Sequence, residues 1–308
     1  MNKKNLTALI ILVVLIVIYM LTKLNNKTEK LISFFDVDSS KVAAIEISTA
    51  EDTLKLVKTD GKWMIDYPVK YEPEKRKIDD IFGKVLKAKT SKIPISESKN
   101  SFETYNVTDS LGTKITFFDK NGKILSSAIV GKSSNYNSSP VRRPDENKIY
   151  LLKTNITYTI KPRLDSWRNR YIVNFDKENL SKIFVSYDDN NYTLTATDTL
   201  WQYDDEKESF PIKEKNRALK NILSSASKVR VTKFIDNDFE KYAKDFENPI
   251  LELTIEDFDN NSWHLKFIKG EDNKVIIQKN DETEHLYMVY ENWIKKFQKK
   301  AEDFQKEK

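Results

Sequence analysis

From Val42 to Ser48, and again from Thr53 to Lys58, apolar and polar residues alternate one for one, which is the period of a strand with one buried face. Asp60-Gly61 then marks a tight turn into Trp63, Met64 and Ile65, so this stretch predicts a three-stranded meander. Beyond Pro73 the period changes. Ile78, Ile81, Phe82, Val85 and Leu86 recur at helical spacing, with Glu72 and Glu74 at the start and Lys87 and Lys89 at the end, charges that suit the dipole of one amphipathic helix. A second antiparallel pair, Ile115 to Phe118 and Ile124 to Val130, is joined through Asn121-Gly122, where glycine tolerates a positive φ. Ile149 to Leu152 reads as a closing strand.

The same pattern returns downstream. Val42, Ile45, Ile47, Leu56 and Trp63 fall 138 residues before Leu180, Ile183, Val185, Leu194 and Trp201. The helical positions Ile81, Phe82, Val85 and Ala88 fall 141 before Ile222, Leu223, Ala226 and Val229, and Gly131 falls 139 before Gly270. The predicted fold class is therefore α+β: an N-terminal transmembrane helix followed by two tandem copies of a mostly antiparallel β-β-β-α-β-β-β unit. Residues 1–30 hold the N-terminal tail, the anchor and a juxtamembrane segment, 31–160 the first repeat, 161–178 a linker, and 179–308 the second repeat. Trp293, Ile294, Phe297, Ala301 and Phe304 share one helical face and predict a C-terminal helix packed back on that repeat.

The anchor rests on the apolar run from Leu6 to Leu21, broken only by Thr7 and Tyr19 and free of charge. About 17 to 20 apolar residues at 1.5 Å rise cross a hydrocarbon layer of roughly 30 Å. A cleaved signal would show small residues at its end, whereas Tyr19, Met20, Leu21, Thr22 and Lys23 stand there. The expectation is a single pass through the cytoplasmic membrane, residues 6–22 in contact with the lipid bilayer, the N-terminus inside and the bulk of the chain extracytoplasmic.

Composition narrows the function classes. Fifty-two basic and 47 acidic residues, spread along the chain, leave a net charge of +5, the surface of a solvated domain with no concentrated basic face for nucleic acid. There is no cysteine, which removes thiol chemistry and cysteine lipidation, and there are only two histidines, His264 and His285, both in strand-like segments. No cofactor and no metal site is expected. Gly131-Lys132-Ser133 lacks the earlier glycine of a phosphate loop, since position 126 is Ser126. Asp257, Asp259 and Asn261 open like a calcium loop, but Ser262 and Ile268 stand where glycine and glutamate belong, so a hairpin turn explains them better, and Asp236-Asn237-Asp238 reads as a loop. Trp63 and Trp201 are expected to anchor the two cores. One ligand site is expected, an anion contact at Arg142 and Arg143, where two guanidiniums follow the polar loop Ser133 to Pro140.

The turn Gly61-Lys62-Trp63 with Pro68 beyond it, Gly131-Lys132, Arg142-Arg143 before Ile149-Tyr150, and Trp167-Arg168-Asn169-Arg170-Tyr171-Ile172-Val173 ahead of Val185 together resemble the domain-of-unknown-function 4340 family over most of residues 40 to 290. The second copy departs from that pattern at Thr199, which stands where the first has Gly61. The resemblance implies an envelope location and an accessory role beside ABC transporters of the gliding-motility type, and it supplies no catalytic motif. The expected function is thus a membrane-anchored, non-enzymatic protein-interaction partner of transporter subunits. The competing reading is an envelope glycan- or peptide-binding protein, hydrolytic if carboxylates such as Asp66 or Asp109 serve as acid/base groups.

Overall fold

A computed structural model describes residues 11–20, 30–133, 135–213 and 215–305. The chain divides into two compact units, Met1–Arg168 and Asn169–Lys308. Both are built mainly of antiparallel sheet with a few short helices.

In the first unit nine strands form one sheet: β1 (Leu31–Ser33), β2 (Ala44–Ser48), β3 (Thr53–Thr59), β4 (Lys62–Tyr67), β5 (Lys89–Ser91), β6 (Thr113–Phe118), β7 (Ile124–Val130), β8 (Ser139–Arg142) and β9 (Ile149–Leu152). Their order across the sheet is β1-β5-β9-β8-β7-β6-β2-β3-β4. Alternation sets the buried face: Ile45 lies between Leu56 and Phe117, and Ile47 between Leu54 and Ile115, all six being fully buried. The β3–β4 turn is the expected Asp60-Gly61, with φ of 50° and 81°, the pair of positive values that a two-residue hairpin matching strand twist requires. Over this face lies the predicted helix. It runs as α2 (Lys75–Asp80) and then widens at Ile81–Val85 into a π turn, in which the Leu86 N–H bonds the Ile81 carbonyl. Ile81 and Val85 enter the core beside Phe34, Phe35 and Trp167.

A smaller cluster of Val107, Ile129 and Ile149, with Phe102 of α3 (Ser101–Thr104) and Tyr105 against it, fills the other side of the sheet's middle strands. The polar loop expected from Ser133 to Pro140 stops short of Ser139, where β8 begins, and all four residues of that strand are buried.

The second unit carries β11 (Leu180–Tyr187), β12 (Asn190–Ala196), β13 (Trp201–Asp204), β14 (Ser209–Ile212), β16 (Lys233–Asp236), β17 (Leu251–Asp257), β18 (Ser262–Lys269), β19 (Lys274–Lys279) and β20 (His285–Tyr290), in the order β14-β13-β12-β11-β17-β18-β19-β20-β16. Helix α4 (Arg217–Ala226) is capped by Asn216, whose side chain accepts from the Leu219 N–H. The run β13-β12-β11-β17-β18 occupies the same places in this order as β4-β3-β2-β6-β7 in the first unit. The stretch 161–178, expected to be a linker, contains β10 (Tyr171–Asn174), which pairs with β15 (Lys228–Arg230) much as β1 pairs with β5.

The expected C-terminal helix is broken in two, α5 (Glu291–Ile294) and α6 (Ala301–Gln305), though Ile294, Phe297 and Phe304 are buried as its apolar face implies. Side chains of the second unit grip the main chain of this tail: the Tyr187 and Tyr192 hydroxyls donate to the Lys299 and Phe297 carbonyls at 2.8 and 2.7 Å, and the Asn216 Nδ2 donates to those of Asp303 and Phe304. These bonds let the chain leave helical geometry between α5 and α6 without losing its carbonyl partners.

Among the described residues ten non-glycine positions have positive φ, and every one is Asp or Asn, the side chains that best tolerate that region. With only six glycines in the chain, its tight turns depend on them.

Residues 11–20 form helix α1, every side chain of which is exposed. Among the described residues no helix is long and apolar enough to cross a membrane. The ends of the expected span 6–22, residues 6–10 and 21–22, lie outside the described residues.

Candidate functional site

Arg142 is the most heavily bonded of the candidate side chains. It closes β8, is 4% exposed, and lies over the Phe102 ring at 4.4 Å. Its Nε donates to the Val107 carbonyl at 2.6 Å, Nη1 to those of Pro144 and Arg143 at 2.9 and 3.3 Å, and Nη2 reaches Asp109 Oδ1 at 3.4 Å. Arg143 lies over a different ring, Phe34, and donates to the Phe34 carbonyl at 2.8 Å, with Glu146 at 3.5 Å. The two guanidiniums thus tie separate pieces of backbone together. Arg142 gives Nε and Nη1 to carbonyls within the unit, whereas Arg143 gives Nη2 to one carbonyl and stays 38% exposed beside Glu146.

Residues 135–138 form a polar lattice that leads into β8. Asn135 accepts from the Asn137 N–H and the Ser138 hydroxyl, and Ser139 bonds Asn155 and Thr157. Beside it opens a cleft of about 540 Å³ lined by Ile95, Tyr105, Asn106, Lys132, Ser138 and Leu151, among others.

The remaining sequence candidates are engaged one by one. His264 Nε2 meets Glu252 at 2.9 Å and His285 Nδ1 meets Asp236 at 3.1 Å. Asp257 accepts from the N–H groups of Asp259 and Asn261, closing the β17–β18 hairpin. Asp66 faces Lys55 across β3 and β4 at 3.7 Å. Asp66 and Asp109 do not come together: Asp66 is on β4 and Asp109 beside β8, five strand spacings away in the sheet order, or about 24 Å at 4.8 Å each. Among the described residues, no group of three or more His, Asp or Glu could hold a metal ion.

Trp63 and Trp201 have different surroundings, which their constant offset in sequence alone could not reveal. Trp63 packs on Phe82 with ring centroids 5.7 Å apart, sealing the helix against the meander. In the second unit the residue 141 positions after Phe82 is Leu223, and among the described residues no ring packs on Trp201. An open cleft of about 550 Å³ stands there instead, with Leu200, Trp201, Ile212, Leu219 and Leu223 on its walls and Lys177, Glu178 and Lys220 at its rim. That volume falls in the range of small-ligand and side-chain pockets.

A third hollow, more polar, lies where the tail meets β12 and β13. Burial, followed by the hydrogen bond to Asp205, pushes the Tyr203 phenol well up. Burial pushes the Asp205 carboxyl up as well, but the N–H groups of Glu208 and Lys207 and the Tyr203 hydroxyl outweigh it and hold that carboxyl below its ordinary range. The arrangement keeps a neutral phenol as donor and a charged carboxylate as acceptor, a structural bond with no proton to exchange near neutrality.

These features define an α+β protein with two sheet-based units, each with its own open cleft. Residues 63–245, more than half of the chain, match the family model described as "Domain of unknown function (DUF4340)", and the chain belongs to that family. The match begins at Trp63 in β4 and runs through the Asp245 turn, so it takes in parts of both units. No curated protein and no solved structure matches the chain.

Proposed function

We propose that this chain is a single-pass membrane protein whose two units, descended from one duplicated unit, lie outside the cytoplasm and act without catalysis as accessory to a membrane complex of the ABC-transporter kind. One observation carries the anchoring. Helix α1 presents ten consecutive apolar side chains from Ile11 to Met20, each 45% to 60% exposed. Burial of an apolar side chain is worth about 1.5–3 kcal/mol, so covering this surface is worth on the order of 10 kcal/mol or more, and lipid covers such a helix on all sides. The charge-free run continuing to residues 6 and 22 supplies the length. Duplication is supported by the constant offsets in sequence and by the matching strand order. The accessory role is supported by the family resemblance and by the candidate reactive groups each being engaged in a local bond.

Anchoring and orientation are tested by alkaline extraction of membranes and by protease treatment of spheroplasts. The chain should stay with the membrane, and everything beyond Lys30 should be digested from outside. A body protected in spheroplasts and cut only after lysis refutes the orientation, and a chain washed off by alkali refutes the anchor.

The Trp201 cleft is the proposed seat for an apolar side chain of the partner, its flanking carboxylates meeting Lys177 and Lys220. Leu223→Phe restores the ring that Phe82 supplies in the first unit. The variant should gain about 0.5–1.5 kcal/mol of stability from the new aromatic pair, yet lose most co-purification with the membrane complex. Undiminished co-purification removes the cleft from the interface.

A further inference from the structure

Where the first unit meets the segment arriving from the apolar run, its surface is both greasy and cationic. β1 pairs with β5 antiparallel, Leu31 opposite Ser91. Chain leaving β5 after Ser91 therefore runs toward the same end of the ribbon from which the N-terminal segment arrives. Ten residue steps separate Leu21 from Leu31, which places that end within about 35 Å of the end of the run at full extension.

The loop found there is Ser91-Lys92-Ile93-Pro94-Ile95-Ser96. Ile93 is 76% exposed, Ile95 41% and Leu31 39%. The exposure is enforced by the backbone: the Ile93 N–H bonds the Ser91 hydroxyl at 3.1 Å, the Ile95 N–H bonds the Ile149 carbonyl at 2.8 Å, and Ser96 bridges to Ile149. With Pro94 between them, the two isoleucines are held outward. Exposed Lys92 stands in the loop itself, exposed Lys30 precedes β1 and exposed Lys89 opens β5, and residues 87–96 contain no carboxylate, Glu97 being the first beyond them. Apolar tips ringed by lysine are the chemistry of an interfacial contact with anionic lipid.

We propose that the Ser91–Ser96 loop, with Leu31, is a membrane seat: Ile93 and Ile95 enter the headgroup region while Lys30, Lys89 and Lys92 meet anionic lipid, holding the first unit down on the bilayer. The inference rests on the membrane-anchored reading above. Its consequence is that the unit is oriented by the lipid surface and does not swing freely on residues 22–30.

The absence of cysteine makes the test direct. Full-length Ile93→Cys, labelled with an environment-sensitive dye, is placed in phosphatidylcholine nanodiscs with and without phosphatidylglycerol and with nitroxide lipid as quencher. Leu111→Cys, ahead of β6 at the opposite end of the sheet and 56% exposed, serves as the control. Quenching at position 93 should exceed that at 111 by about twofold or more, and should fall toward the control when phosphatidylglycerol is omitted or when Lys89 and Lys92 are changed to Glu. Equal quenching at the two positions in discs that retain the chain overturns the seat, as does quenching at 93 indifferent to anionic lipid. A chain that fails to elute with the discs at all refutes the anchor itself, a distinct result.

Discussion

Replacing Gly131 by alanine should cost the first unit about 3 kcal/mol, at the upper end of what an added methyl does in a packed site. A Cβ at this position would be driven into the Tyr105 carbonyl oxygen, with Val107 Cγ1 at 3.0 Å and the Asn106 carbonyl oxygen at 3.1 Å on either side. The nearest obstacle is backbone, which no rotamer change moves. Gly131 is also pinned from behind, its N–H bonded to the Pro140 carbonyl at 2.9 Å. Relief therefore requires parting β7 from the Tyr105 segment and opening the cluster of Val107, Ile129 and Ile149. Gly83→Ala is the matched control: no atom lies within 4 Å of its added Cβ, and the segment is helical, so it should gain about 0.5–1 kcal/mol. Denaturant titration of the chain, followed by tryptophan fluorescence, reads both. A Gly131→Ala midpoint equal to the parent's would show that the strand and the Tyr105 segment do not approach so closely.

Arg142→Ala should be at least as damaging, about 3–4 kcal/mol, because it leaves the Val107, Arg143 and Pro144 carbonyls without their donor and empties the space over Phe102. Arg142→Lys keeps the charge but cannot reproduce the fork, so it should recover only part of the loss. Asp109→Asn should change stability by less than about 0.5 kcal/mol, since that carboxylate is 85% exposed and its pairing at 3.4 Å is screened by water. The same titration checks all three. If Asp109→Asn hurt as much as Arg142→Ala, the ion pair, and not the carbonyl bonds, would be what holds the loop.

The parts of the fold that could be read directly are those in which one physical signal acts alone. Alternation at Ile45, Ile47, Leu54 and Leu56, the Asp60-Gly61 and Asn121-Gly122 turns, and the buried face of Ile81 and Val85 all stand where the sequence puts them. β8 escaped because its buried character is supplied by serine, proline and an arginine, residues that hide only when partners elsewhere satisfy them. β10 escaped because a four-residue strand has too few positions to show a period, and its partner lies more than 50 residues away. The arginine pair was visible as chemistry but not as use, since nothing local announces that Val107 and Phe34 bring carbonyls to it. The Trp201 cleft was half visible: the offset that equates Phe82 with Leu223 already contains the missing ring, but only the packing of Trp63 on Phe82 shows what that ring does.

The second unit holds its tail by main-chain carbonyls at Phe297, Lys299, Asp303 and Phe304, with tyrosine and asparagine as the donors. A grip of that kind recognises the path of a peptide and not its letters. Lys299 and Asp303 can therefore diverge among descendants of this gene while Tyr187, Tyr192 and Asn216 are retained, so selection should leave its mark on the holder more deeply than on what is held.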